Sequence, residues 1–333
     1  MNKENLLRMA AHIRNLPKEK EVNMNFFSTN MKKIVCCLLL IFTSCVYAQQ
    51  EPQYTQYMYN PSVINPAYSG SLGYGTLFSL YRTQWIGLEG APKTLNLAYH
   101  QPIENSNLGI GGNVLHDEIG PSTTTSFAVD LSYTIDFENE SKLAFGIKAG
   151  GALLNIDYNK LNHFNPNDNS FRNNINNQFS PNIGAGLFYY TNTSYLGVAV
   201  PMILETTQYD EFAFSAANRR QHFYLMGGKV FELAYNLKFK PAFVAKMVAG
   251  APLQVDLTGN FLINEKFTVG LAYRWSAALS ALVGFKVSDR LAIGYGYDRE
   301  TTRLSNFNSG SHELFLQFDL FKINQRVETP RFF

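Results

Sequence analysis

The feature that most constrains this chain is an alternation of apolar and polar residues that returns many times along it. Between 126 and 136, Phe127, Val129, Leu131, Tyr133 and Ile135 hold the odd positions, against Ser126, Ala128, Asp130, Ser132, Thr134 and Asp136. Successive side chains of a strand point to opposite faces, so each such stretch is a ribbon with one greasy and one polar side. The pattern returns at 253–261 (Val255, Leu257, Phe261), at 266–275 (Phe267, Val269, Leu271, Tyr273, Trp275) and at 291–298 (Leu291, Ile293, Tyr295, Tyr297).

A soluble sandwich alternates too, and segment length separates the alternatives. Many segments reach ten residues or more, close to the roughly 9–11 that a tilted strand needs to cross a bilayer, whereas globular strands average about 5–6. Aromatic residues gather near the segment ends, where a membrane barrel carries its girdles. Charged residues make up only 16% of the chain, against about 25% in ordinary soluble domains. The expected class is therefore all-β, a transmembrane antiparallel barrel over 74–321 that lies in a lipid bilayer.

Turn residues divide that barrel into fourteen segments, near 74–87, 92–103, 107–117, 122–136, 141–157, 180–191, 195–204, 220–233, 236–249, 252–264, 266–277, 279–288, 290–299 and 310–321. An even count suits a closed ring, which leaves no unpaired strand edge in lipid. With the N-terminus periplasmic, the long connections 158–179, 205–219 and 300–309 all fall on the outer side. The connections at Asn105-Ser106, Asn139-Glu140, Asn192-Thr193, Asn264-Glu265 and Asp289 are tight and fall on the inner side, as such barrels require.

Lys32 and Lys33, the apolar run Ile34–Phe42 and a small-residue end at Ala48 read as a signal peptide over 31–48. Residues 1–30 read as a non-native extension upstream of it. Lipoprotein processing at Cys45 is the weaker alternative, because Phe42 stands where an aliphatic residue is expected. Cys36, Cys37 and Cys45 all lie in the signal, so the exported chain has no thiol for a disulfide or a metal. Taking the seven Lys/Arg and three Glu of 1–48 from the 28 basic and 26 acidic residues leaves 21 and 23. That balance gives no case for a nucleic-acid partner.

Residues 49–73 precede the barrel and are rich in Gln, Asn, Tyr and Pro, including Gln53, Tyr54, Gln56 and Tyr59. They are expected to form an N-terminal plug or lid in a lumen left open by Gly146, Gly150, Gly184, Gly186, Gly294 and Gly296; the alternative is a free tail. Pro61 and Pro66 speak against strand or helix there. Residues 322–333 are expected to form a periplasmic tail. Arg82, Arg274 and Lys148 fall on polar faces and are expected to pair with Asp130 or Asp256.

Signs of catalysis are thin. His312-Glu313 lacks the second histidine of a zinc-protease motif, and Ser309-Gly310-Ser311 lacks the spacing of a nucleophile elbow. Asn165–Ser170 has too few charged oxygens for a calcium loop. His116-Asp117-Glu118 has no partner for acid–base work. No catalytic residue, cofactor or metal site is expected.

The chain resembles the PorP/SprF family of outer-membrane proteins associated with type IX secretion and gliding motility in Bacteroidetes. The resemblance rests on Gln53-Tyr54-Thr55-Gln56-Tyr57-Met58-Tyr59-Asn60-Pro61, Asn65-Pro66-Ala67-Tyr68-Ser69-Gly70, Arg82-Thr83-Gln84-Trp85-Ile86-Gly87 and Gly90-Ala91-Pro92-Lys93-Thr94. Weaker matches are Asp117 with Gly120-Pro121, Lys240-Pro241, Tyr295–Asp298, Gly310–Glu313 and Pro330–Phe333; Ser69 stands where the family often has Ala. It implies a non-enzymatic outer-membrane barrel that helps secrete or anchor surface proteins, such as gliding adhesins, by binding their C-terminal domains, with periplasmic secretion or motility components as further partners. A passive channel for small or hydrophobic solutes is the alternative. Tyr57, Asn60, Pro61, Asn65, Pro66, Tyr68, Arg82, Gln84 and Trp85 are the expected plug or partner contacts.

Overall fold

The computed structural model describes residues 54, 55, 57–161, 174–204 and 221–320. The expected extension, the signal peptide with its cysteines, residues 49–53, the Asn165–Ser170 loop, 205–219 and the 322–333 tail lie outside the described residues.

The strands are β1 (Thr76–Thr83), β2 (Lys93–Pro102), β3 (Leu108–Ile119), β4 (Ser122–Asp136), β5 (Lys142–Ile156), β6 (Ile175–Tyr190), β7 (Ser194–Val200), β8 (His222–Lys229), β9 (Phe231–Ala234), β10 (Leu237–Val248), β11 (Gln254–Ile263), β12 (Phe267–Arg274), β13 (Ala278–Lys286), β14 (Leu291–Glu300) and β15 (Ser311–Asp319). Each pairs antiparallel with its neighbour around the ring, and β15 pairs with β1 from Thr76↔Asp319 to Thr83↔His312, which closes the barrel. Short β9 lies on the same edge of β10 as β8. Its pairs, Phe239↔Phe231 and Lys238↔Glu232, continue the register of Ala242↔Gly228. The gap between β8 and β9 lies opposite Lys240 and Pro241, and proline has no amide hydrogen for the ladder. β8 and β9 thus form one interrupted stave, and the ring has fourteen.

Burial is inverted relative to a water-soluble protein. Leu271 is 64% exposed and Val129 59%, whereas Arg82, Glu313 and Asp298 are each 1% exposed. Such a surface suits acyl chains outside and a polar interior. Each backbone group turned toward lipid needs a partner inside the sheet, and the closed ladder supplies it.

Several boundaries differ by a few residues from the sequence expectation, and two of them bear on the site. β1 ends at Thr83, not at 87, because Trp85 adopts a left-handed conformation (φ 47°) that starts the turn into β2. β6 begins at Ile175, not at 180, so β4, β5 and β6 form a tall wall of 15, 15 and 16 residues. One end of the barrel carries the connections 84–92, 157–174, 201–221 and 301–310, together with short ones. The other carries only tight turns: 103–107, 137–141, 191–193, 235–236, 264–266 and 287–290.

Candidate functional site

Of the residues before β1, the described ones, 54, 55 and 57–75, lie inside the barrel. Pro61 and Pro66 each open a single 3-10 turn, Pro61–Val63 and Pro66–Tyr68, where the expectation was no helix. Proline suits the first position of a turn, where its absent N–H has no bond to make. The Asn65 side chain accepts a hydrogen bond from the Ala67 amide (3.0 Å) and so caps the second turn.

At the tight-turn end, contact is by close backbone approach. A Cβ added to Gly146 would stand 2.1 Å from the Ala67 nitrogen, and one on Gly186 would stand 2.1 Å from Asn65 Oδ1. Only residues without side chains on β5 and β6 let the segment lie this near the wall. Asn65 Nδ2 also donates to the Leu187 carbonyl (3.0 Å), and the Ser132 hydroxyl donates to the Ser69 carbonyl. Tyr68 packs edge-on against His100 and Phe188, both with ring centroids 5.3 Å away.

Farther along, Lys148 Nζ pairs with Asp130 (3.1 Å) and donates to the Ser62 carbonyl (3.4 Å). Tyr59 packs on Phe315 at 4.4 Å. Asn60 donates to Asn96 Oδ1 (3.4 Å), and Asn260 donates to the Met58 sulfur (2.9 Å).

At the long-loop end, charge takes over. Arg82 bridges Asp298 (2.6 Å) and Glu313 (3.0 Å), and Arg274 pairs with Asp256 (2.8 Å). Thr55 sits among them: its hydroxyl donates to Asp298 and its amide to Glu313 (3.0 Å). Arg274 Nη2 donates to the Tyr54 carbonyl (3.1 Å), and Tyr54 packs edge-on against Tyr57. The contacts of 54–73 therefore reach β1 to β6, β11, β12, β14 and β15.

The family model of the type IX secretion system membrane protein PorP/SprF matches residues 46–318. The chain belongs to the PorP/SprF family. Closed strands and family together place it in the outer membrane, as a secretion or transport membrane protein. A comparison with curated proteins found no match. Among solved structures, this PorP/SprF barrel is similar to the CymD monoaromatic hydrocarbon channel (10% identity, 83% of this chain and 95% of that chain, TM-score 0.47). Omp33 of Acinetobacter baumannii (8% identity, 75% and 99%, TM-score 0.45) and a Pseudomonas aeruginosa FadL homologue (12%, 81% and 95%, TM-score 0.44) are also similar.

The structure brings Tyr57, Asn60, Pro61, Asn65, Pro66, Tyr68 and Arg82 into the PorP/SprF lumen, all of them buried. Gln84 and Trp85 do not join them. They lie in the β1–β2 turn, where the Gln84 amide bonds the Pro92 carbonyl (2.9 Å) and the Trp85 indole donates to Glu300 (3.0 Å). Lys148 and Arg274 pair as expected with Asp130 and Asp256, but Arg82 does not, since its partners are Asp298 and Glu313. Sequence reasoning missed both partners. Glu313 belongs to the dipeptide weighed as a fragment of a zinc motif, and its place beside Arg82 exists only once β15 meets β1. Lys240, whose ammonium lies 5.5 Å from the Tyr195 ring centroid, was missed as an interior cation. The His116-Asp117 pair is split across the wall: exposed His116 meets Thr125 (2.9 Å), and buried Asp117 accepts from Thr94 (2.6 Å).

Proposed function

We propose that this barrel is a non-enzymatic holder of exported proteins, which helps to secrete or anchor surface proteins by binding their C-terminal domains. The observation that carries this reading is the filled lumen. Residues 54–73 meet most of the staves, through buried ion pairs at one end and backbone contact at the other. A wall so committed to its own N-terminal segment leaves little for a passing solute, and family membership points to secretion. Residues 49–73 act in this reading as a plug, and the rims of the barrel meet the partner.

Native outer membranes would be solubilised in mild detergent and the tagged barrel recovered under limited cross-linking. The expected co-purified species is an exported surface protein, alone or with periplasmic secretion components. Its isolated C-terminal domain should bind the purified barrel. A barrel that recovers neither, and swells liposomes in small sugars without any deletion, would make the passive channel the better reading.

A further inference from the structure

The acids and the cation of the outer mouth have neighbours on the other side of the wall. On β14, β15 and β1 the alternation puts Asp298, Glu313 and Arg82 in the lumen, and it turns Arg299, His312 and Thr83 to the outer surface. Register joins the outward set into one patch. His312 stands opposite Tyr297 on one side and opposite Thr83 across the ring closure, and Thr83 stands opposite Lys93 on β2. Arg299 is two residues on from Tyr297, which makes it a diagonal neighbour of His312. Neighbouring strands lie about 4.8 Å apart and diagonal pairs about 7–8 Å, so the backbones of Arg299 and Lys93 fall within about 10 Å of His312. Long arginine and lysine side chains can converge across such a gap.

The patch sits where the lipid-facing surface ends. Going down the wall, Leu314, Leu316 and Phe318 follow His312 at the outward positions, and Leu95 and Leu97 follow Lys93, all of them exposed. Long connections of such barrels face the cell exterior, so this upper boundary lies in the outer leaflet. The cations are confined to this sector. The row continues past Lys93 to Glu118, Thr123 and Asn155, and past Arg299 to Leu279 and Tyr273. An aromatic and basic girdle of the general kind would not stop there.

The imidazole is also fixed in place. The Tyr295 hydroxyl bonds His312 Nδ1, and the Tyr297 ring packs edge-on against it at 5.3 Å. Among the described residues His312 Nε2 has no hydrogen-bond partner, and neither Arg299 nor Lys93 is in an ion pair. The lumen cations Arg82, Lys148 and Arg274 are each paired with an acid. A closed wall separates the outer patch from the lumen, and acyl chains cover the surface below it. The anion that completes it must therefore belong to the lipid.

We propose that Arg299, His312 and Lys93 form an external site for the phosphate headgroup of an outer-leaflet lipid, whose acyl chains lie on the leucines below. Guanidinium takes phosphate through two parallel hydrogen bonds, and the lysine ammonium adds a point charge. A lipid held this way reaches from β14 to β2 and straddles the β15–β1 closure.

The full-length barrel would be purified in neutral detergent and titrated with lipid A, with lipid A stripped of its phosphates by phosphatase, and with inorganic phosphate. Native mass spectrometry reads the bound fraction, and heat-modifiable mobility checks that each variant is folded. Lipid A is expected to stay bound where the dephosphorylated lipid is lost, and inorganic phosphate is expected not to displace it. K93Q/R299Q/H312Q should lower the bound fraction severalfold. R299Q alone should lower it in the same direction, which keeps the test should the triple variant fail to fold. K229Q/K266Q/K286Q, which replaces three lysines at the tight-turn end, should leave it unchanged. Equal retention of the dephosphorylated lipid, displacement by inorganic phosphate, an equal loss in the two triple variants or an R299Q barrel that binds like the parent would each overturn the site.

Discussion

The two ends of the lumen segment are held by different physics. At the tight-turn end, Ala67 and Asn65 lie against Gly146 and Gly186, and the fit depends on shape. At the long-loop end, Thr55 lies among Arg82, Arg274, Asp298 and Glu313, and the fit depends on charge. Shape complementarity tolerates no intruder, since a single carbon added at Gly146 meets backbone and one added at Gly186 meets the Asn65 side chain. Electrostatic complementarity tolerates exchange, because another peptide group can meet the same donors and acceptors. The inner end is thus the root of the segment by shape, and the outer end is the one that charge holds.

The largest expected effect comes from breaking the charged end. In R82A, Asp298 and Glu313 stay buried with their bridging cation gone. Removing one member of a buried ion pair costs about 3–5 kcal/mol, mainly because the other charge is left without compensation. Urea unfolding of the barrel in detergent should show the loss as a lowered midpoint. A midpoint equal to that of the parent protein would mean that the outer end is not held by charge.

Next is the shaped end. G146V places carbon 2.1 Å from the Ala67 nitrogen and 2.5 Å from its Cα. Overpacking usually costs about 1–3 kcal/mol when side chains can yield. Here the obstacle is backbone, so the segment itself must leave the wall. Planar-bilayer recording should find a larger single-channel current in G146V than in R82A, in which the root stays in place. Equal currents would erase the distinction between the ends.

This distinction was only half legible in the sequence. Alternation showed the staves, because lipid outside and polar groups inside force a period of two, and Phe127 to Ile135 do face outward. It failed where that force stops. Ile175-Asn176-Asn177-Gln178 opens β6 without lipid-facing residues in alternation, so the tall wall was cut short. Gln84-Trp85-Ile86-Gly87 reads as strand by composition, and only the positive φ of Trp85 shows that it turns. The segment stood out through its Tyr, Asn and Pro residues. Its partners did not, because Arg82 meets Asp298 and Glu313 across sequence separations of 216 and 231, which only ring closure spans. No local pattern carries a pairing of that range. Lumen-facing parity marks both acids as interior without saying which cation they meet.

A smaller effect should sharpen the inner end. N65A removes the acceptor that caps the Ala67 amide and the donor that reaches the Leu187 carbonyl. Losing a cap of this kind costs about 0.5–2 kcal/mol. The close approach of Ala67 to Gly146 remains, so thermal unfolding should shift slightly while the bilayer current stays near that of the parent. A current as large as that of G146V would make Asn65, and not the glycine contact, the root.

The smallest effect belongs to a charge pair outside both ends. Lys142 and Asp136 bridge at 3.0 Å where β4 turns into β5, with side chains 45% and 55% exposed. Water screens such a pair and its long side chain pays entropy to hold one geometry, so K142A should cost between zero and about 1 kcal/mol. Its unfolding midpoint should fall in step with added salt no more than that of the parent, and its current should not change. The contrast with R82A matters more than either value. Both substitutions delete one cation, but Arg82 bridges two acids and is buried with them, at 2% and 1% for Arg82 and Asp298, whereas Lys142 meets one acid in water. If K142A destabilised the barrel as much as R82A, net charge and not burial would account for both, and buried charge would not be what holds the outer end.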